Sequence, residues 1–586
     1  MFHYWQKAFS LLALHLAVAG LALAQNTNLS PDLAGMNSET NVNVIVRFKH
    51  PPSQGDFERI ARLSKGGVLL KRLLSVKGGV FTVPAEALAR IATDPRVAYI
   101  SPDRRVRGKL DLTAAAINAS AAWTSDWNGA GIGVAVIDSG VVPVPDLVDA
   151  NGTFRVVYEQ DFTGGGPQDQ FGHGTHISGI IASNGVSSTC PNCTRTFQGI
   201  APGANLVDLR VLDRNGESND STVIQAIETA VALRARYNIR VINLSLGRPV
   251  FESYTQDPLC QAVEAAWQAG IVVVAAAGND GRDNSFNSNG YGTIGSPGND
   301  PYVITVGAMK TEGTPDRSDD LIASYSSKGP TSVDLFIKPD IVAPGNLVVS
   351  LLALGTTLPA EYPSDLVPLS YYMLNAGAGL STNYFSLSGT SMATPVVSGA
   401  VADLLEAEPG LTPDQVKAKL MKTAYKTFPA SSTATDPATG DTYTDQYDAF
   451  TAGAGYLDLA AALADTSEPT GSAMSPATTW DPVSGNAYFT PSASSVWGST
   501  PDYSLQSVWG TTILSDGSNA LWGSQNEPWG VPLSASQSIW GTQSIWGNQS
   551  IWGTQSIWGT QSVWGTQSIW GTGSDQAADI LTLGEP

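Results

Sequence analysis

The stretch from Met392 to Ala407, MATPVVSGAVADLLEA, would show small or apolar side chains on nearly every face of a helix. A helix that is apolar all round has no surface side, so it belongs in the core of a large domain. The run is entered through SLSGTSMATP, Ser386 to Pro395. Gly389 allows a tight turn and close approach of the backbone to another group. Pro395 falls in the first turn of the expected helix, where a missing N–H costs little. Ser391 therefore stands at a helix N-terminus, where the positive end of the dipole favours an anion forming nearby. Taken alone, GTS reads as an ordinary N-cap. Other residues must decide whether this hydroxyl is a nucleophile.

A serine hydroxyl attacks poorly unless a base takes its proton. The histidines are His3, His15, His50, His173 and His176, and the first three lie in segments expected to be removed. The remaining two sit in FGHGTHISGIIAS, where Gly172 and Gly174 bracket His173 and an apolar helix follows. Such a pair also reads as half of a metal site or as packed core histidines. A spacing of three with no later histidine makes a poor metal site. An orienting carboxylate is offered by GIGVAVIDSGV, Gly131 to Val141. This continuous apolar run suits a strand buried on both faces of a parallel sheet. It ends in Asp138, and functional groups of α/β folds gather at the carboxyl ends of strands. By itself Asp138 is also a plain turn aspartate.

The three segments VIDSG, GHGTH and GTSMATP occur in the order Asp138, His173, Ser391. That is the chain order of the Asp, His and Ser of subtilisin. Motifs and order together resemble the subtilisin-like serine proteases, over roughly residues 112–464, with a weaker likeness upstream to about residue 41. The resemblance implies a mostly parallel α/β sheet with helices on both faces and an Asp138–His173–Ser391 triad. It implies that Asn279, at the end of IVVVAAAGND, donates to the oxyanion of a tetrahedral intermediate. It makes Ser245, Leu246 and Gly247 an edge that pairs with an extended substrate by backbone groups. Gly295 becomes the floor of the specificity pocket, which leaves room for a bulky apolar residue before the scissile bond. No cofactor is required. Structural calcium is an analogy only, because no compact acidic loop identifies its ligands. His176 has no role in this scheme and is expected to pack within its helix.

A chain of 586 residues exceeds one domain. Residues 1–24 read as a signal peptide: Lys7 precedes an apolar segment from Phe9 to Leu23, and Ala22 and Ala24 form a small-x-small site. Residues 25–40, mostly polar, read as a disordered spacer. Residues 41–107 carry a βαββαβ pattern that resembles a subtilase propeptide, a small ferredoxin-like α+β domain that assists folding and inhibits the enzyme. The catalytic domain, 112–464, includes an expected helix over Ile117–Trp123 and an unusually long connection, Ala353–Asn383, that either rims the cleft or decorates the surface. The net charge of −20 without a basic cluster argues against nucleic acid as a partner. Only 14% of residues are charged, which suits an exported protein. In that setting Cys190 and Cys193, in CPNC, are expected to form a local disulfide, and Cys260 a lone buried thiol.

Composition changes after Thr466. Of the 15 Trp, 11 fall in the tail, 466–586, and from Ser538 to Gly573 SIWGTQ repeats with few changes. Looser copies occur at Val496–Gly498, Val508–Gly510 and Leu521–Gly523. A period of six puts all tryptophans on one face of an extended strand but scatters them around a helix. A stacked β-coil, an adhesive ribbon and a low-complexity tail without a ligand all fit. Exposed tryptophans suit carbohydrate, cell-envelope or self-association contacts. The expected partners are therefore polypeptide substrates, the chain's own propeptide, and an envelope or carbohydrate surface for the tail. The expected location is extracellular or cell-surface. A modular tail predicts that cutting at residue 466 spares peptidase activity. The competing reading is a surface-binding or adhesive protein on a catalytically silent scaffold.

Overall fold

The structure, a computed structural model, describes residues 28–30, 33, 41–73, 77–102, 109–110, 112–284, 288–436, 439–481, 486–490, most of 492–509, 520–522, 581 and 584–585. The expected signal peptide and the repeats 538–573 lie outside the described residues. The chain divides into two compact units, Met1–Arg107 and Gly108–Pro586.

In the first unit the strands β1 (Asn41–Phe48), β2 (Val68–Leu73), β3 (Gly78–Pro84) and β4 (Val97–Pro102) alternate with helices α1 (Gln54–Leu63) and α2 (Leu88–Ala92) in a βαββαβ order. The sheet runs β2-β3-β1-β4 and every pairing is antiparallel. Val44, Val46 and Phe48 alternate inward along β1. They share one core with Phe57 and Ile60 of α1 and Leu88 and Ile91 of α2, so both helices cover the same face.

The second unit is built on an eight-stranded sheet. Its members are β5 (Gly133–Asp138), β6 (Val156–Asp161), β7 (Asn205–Arg210), β8 (Ile239–Leu244), β9 (Val272–Ala276), β10 (Ile304–Lys310), β11 (Leu321–Ile322) and β12 (Ile341–Pro344). The order is β11-β10-β9-β8-β5-β7-β6, with β12 also on β10, and only the β10–β11 pairing is antiparallel. Every residue of β5, β9 and β10 is buried, as continuous apolar runs between helical layers must be. The connecting helices are α3 (Leu112–Ala116), α4 (Ser120–Thr124), α5 (His173–Ala182), α6 (Asp220–Tyr237) and α7 (Pro258–Gln268). The single helix expected over Ile117–Trp123 is instead interrupted. Asn118 adopts a left-handed φ of 58°, and its side chain donates to Asp458 Oδ1 at 3.1 Å. Asn tolerates that conformation because its side chain can satisfy local polar groups.

Downstream, strand β13 (Val348–Leu351), helix α8 (Thr357–Glu361), strand β14 (Leu366–Pro368), helix α9 (Leu369–Tyr372) and strand β15 (Leu380–Leu387) precede the long helix α10 (Thr390–Ala407). All but the last two residues of α10 are buried, which is the environment its all-round apolar face demands. Helix α11 (Pro413–Thr423) follows it. The change of composition at 466 is not a boundary of packing. Ala473, Phe489, Val496, Trp497, Tyr503, Val508 and Trp509 share a second core with Ile337, Ala418, Met421 and Phe450. Trp497 and Trp509, the tryptophans of the first two loose repeat copies, are buried and meet edge to face at 5.2 Å. Those two are core residues, not exposed contacts.

Candidate active site

Asp138 closes β5, and Gly140 (φ 104°) turns the chain away immediately afterwards. The carboxylate accepts the Ser139 N–H at 2.8 Å and lies 2.8 and 3.0 Å from His173 Nδ1 through its two oxygens. A carboxylate can only accept, so Nδ1 carries the proton and the ring lone pair is on Nε2. His173 is the first residue of α5, and the start of that helix is held by a residue the motifs did not flag. Asp169 accepts the N–H groups of Phe171, Gly172 and Thr175 at 3.0, 2.7 and 3.0 Å, and the Thr175 hydroxyl at 2.7 Å. It also accepts the Ser139 hydroxyl at 2.9 Å, and Ser139 Oγ takes the Gly174 N–H at 2.8 Å. The cap of the histidine helix is thus bonded to the residue after Asp138. Burial raises the Asp169 carboxyl, against the opposing effect of these donors. A Cβ at Gly174 would stand 2.3 Å from the Gly140 carbonyl, so only glycine lets α5 approach the end of β5. An acid just ahead of an apolar helix was the available signal for Asp169.

The Ser391 side is equally constrained. Gly389 has φ 142°, and Ser391 is the second residue of α10. Asn279 Oδ1 accepts the Thr390 N–H at 2.9 Å and lies 3.1 Å from its hydroxyl. With its oxygen so engaged, the amide turns Nδ2 towards the Gly389 bend, 3.3 Å from where a Cβ would stand. The Ser391 carbonyl accepts the Ser245 hydroxyl at 2.8 Å. Ser245 Oγ in turn accepts from Asn243 Nδ2 at 2.9 Å, and Asn243 Oδ1 accepts the Ser398 hydroxyl at 2.8 Å. Ser245, expected as a backbone edge, therefore also tethers α10 through its side chain. Ser391 is buried, and its Oγ makes no hydrogen bond to another described residue. Helices α5 and α10 pack directly on one another.

His176 joins the two halves. Its Nε2 lies 3.1 Å from the Val348 carbonyl and 3.2 Å from that of Phe385, and its own carbonyl accepts the Ser350 hydroxyl at 2.7 Å. Burial, followed by the neighbouring His173, pushes its pKa down to about 3. It is a neutral packing donor between α5 and the β13–β15 pair that leads to Ser391. Leu246 is buried and Gly247 lies beside Ser296, whose carbonyl would be 3.1 Å from an added Cβ. Gly295 donates to the Ala277 carbonyl at 3.0 Å, and a side chain there would press on the Arg248 carbonyl at 3.0 Å. Gly295 and the 245–247 segment are therefore neighbours at the carboxyl ends of β8 and β9.

The long connection packs at two places. Thr357 and Leu358 donate to the carbonyls of Gln170 and Phe171, next to His173. Tyr371 stacks with Phe197, and Arg195 lies over its ring at 4.1 Å. The loop beneath it is closed by a Cys190–Cys193 disulfide, and Cys260 is a free buried thiol. Among the described residues no group of three or more His, Cys, Asp or Glu is arranged to hold a metal ion. No helix among them is long and apolar enough to cross a membrane.

Known proteins are similar to this chain over much of its length. The model of the Subtilase family matches residues 129–455. Serine protease AprX of Bacillus subtilis (strain 168) is 33% identical over 398 residues, covering 65% of this chain and 82% of AprX. Subtilisin E of the same organism is 32% identical over 404 residues, 68% of this chain and 89% of its own length. An extracellular serine proteinase of Thermus sp. (strain Rt41A) is 33% identical over 359 residues, 59% and 70% of the two chains.

Proposed function

This chain belongs to the subtilase family and is a serine endopeptidase of that type, and we propose that Asp138, His173 and Ser391 do its chemistry. His173 Nε2 takes the Ser391 proton as Oγ attacks the scissile carbonyl, then returns it to the leaving amine. Asp138 keeps the ring in the required tautomer and stabilises its charged form. Asn279 Nδ2 and the Ser391 N–H hold the oxyanion, a term that alone is worth about 100- to 1,000-fold in turnover. Ser245–Gly247 pair with the substrate backbone, and Gly295 leaves space for a bulky apolar side chain before the scissile bond. Each group in this scheme is a side chain or N–H of this chain.

The observation that carries the reading is the buried Asp138–His173 pair, with both oxygens within 3.0 Å of Nδ1. That contact joins residues on different elements and supports Nε2 as the ring nitrogen that acts as the base. The polypeptide is made as an exported precursor, with residues 41–107 as the propeptide and autoprocessing between Arg105 and Leu112. N-terminal sequencing of exported wild type and Ser391→Ala tests this directly. The wild type should start within or after that interval. The variant should keep residues 41–107 attached. Identical processed termini would remove Ser391 from maturation. A peptide-library profile dominated by Lys or Arg before the cut would refute the pocket assignment.

A further inference from the structure

Residues that follow the repeats return to the catalytic unit. Glu585 is buried. Its Oε2 accepts the Ser324 N–H and hydroxyl, each at 2.7 Å, and Arg282 Nη2 at 3.3 Å. Oε1 lies 3.4 Å from Lys310 Nζ. The backbone of the same residue is held at both ends by one side chain: Asn346 Nδ2 donates to its carbonyl at 2.7 Å, and its N–H donates to Asn346 Oδ1 at 2.8 Å. Four residues earlier, the Leu581 carbonyl accepts the Ser388 N–H at 2.8 Å. Gly584 fits so closely that a Cβ would meet Ser388 Oγ at 2.5 Å. A carboxylate buried against two cations, a hydroxyl and an N–H is a built socket; one partner lost would leave uncompensated charge.

The elements this socket joins are the two sides of the oxyanion site. Arg282 lies three residues beyond Asn279, and Arg282 Nε also donates to Ser324 Oγ at 2.7 Å. Ser388 lies three residues before Ser391. It is tied to the Asn346 segment because its Oγ accepts the Leu347 N–H at 2.9 Å, while the Gly389 N–H donates to the Gly345 carbonyl at 2.8 Å. Through Arg282, Glu585 holds the loop that carries the side-chain oxyanion donor. Through Asn346 and Ser388, the same segment holds the bend that presents the nucleophile and the second donor.

We propose that Leu581, Gly584 and Glu585 form a positioning element of the active site, a clasp that fixes the Asn279 loop against the Ser388–Ser391 bend. This rests on the assignment of Asn279 and Ser391 made above. Misplacement by about 1 Å costs on the order of 100-fold in rate, so a loosened but intact site should lose about tenfold. Substrate affinity, set by the edge at residues 245–247, should change little.

The test uses the full-length protein with kcat expressed per titrated active site, so that unfolded molecules do not count. Glu585→Gln should lower kcat on a short chromogenic peptide by about tenfold and leave KM within about twofold. Glu585→Asp, which keeps the charge and shortens the reach, should fall between it and wild type. In an Asn279→Leu background, Glu585→Gln should cost little further, because the donor it aligns is already gone. Wild-type kcat in both Glu585 variants would overturn the inference. An equal tenfold loss in the Asn279→Leu background would do so too, since it would mark a role in general stability. Undiminished turnover per mole of folded protein by Ser391→Ala, which has no serine to titrate, would sink the nucleophile assignment, and the clasp with it.

Discussion

At the scale of single residues, the role proposed for Asp138 runs through one ring nitrogen, His173 Nδ1. Asp138→Asn presents an amide to Nδ1 and favours the wrong tautomer. It should lower kcat at neutral pH by about 10,000-fold while peptide binding persists. Stopped assays with a sensitive fluorogenic peptide would show it, and a loss below tenfold would contradict the proposed role. Asn279→Leu should lower kcat by about 100- to 1,000-fold with KM nearly unchanged. His176 makes a prediction about pH. Its folded pKa, about 3, lies below the unfolded value near 6.5, so the folded state binds fewer protons between them. Its contribution to stability is fully present above about pH 6.5. It is lost as pH falls towards 3, at about 1.4 kcal/mol per unit for one proton. His176→Gln should therefore flatten the pH dependence of urea unfolding between pH 6 and pH 4 relative to wild type. Parallel curves would show that His176 does not titrate on unfolding.

At the scale of elements, strand β5 was legible because a strand buried on both faces is a continuous apolar run, and its last residue, Asp138, fell at the carboxyl edge of the sheet. Helix α10 was legible for the same reason of burial. What the chain did not reveal is what depends on distant partners. Asp169 reads as one acid among many until the fold brings it to Ser139 and the start of α5. The inward hydroxyl of Ser245 is invisible in a motif that suggests only a backbone edge. The break at Asn118 follows from its bond to Asp458, more than three hundred positions away. The same holds for the buried charges. Burial alone would raise Asp340, yet Lys338 and Lys417 hold its carboxyl below the usual range, and Ser475 donates to it at 2.5 Å. Lys417→Met would strip one cation from that carboxylate and should cost about 3–5 kcal/mol in denaturant unfolding. A cost under 1 kcal/mol would mean that Lys338 and Ser475 suffice.

At the scale of the whole molecule, the second core joins what composition divides. A chain cut after residue 466 loses Ser475, Phe489, Trp497 and Trp509, and each lost large aromatic costs about 3–5 kcal/mol. The catalytic unit so truncated should melt on the order of 10 °C lower or more, and not simply lose a surface anchor. Deleting residues 538–573 alone should leave both core and peptidase turnover intact. Equal melting of the 466 truncation and wild type would show that the second core is dispensable. The most direct test of the account is to label the mature protein with a fluorophosphonate, locate the adduct by peptide mass spectrometry, and follow residual activity against label bound. The account predicts one adduct per molecule, on Ser391, with activity falling in strict proportion and no adduct in Ser391→Ala. Stoichiometric label on another residue, or full peptidase activity with Ser391 fully modified, would contradict it.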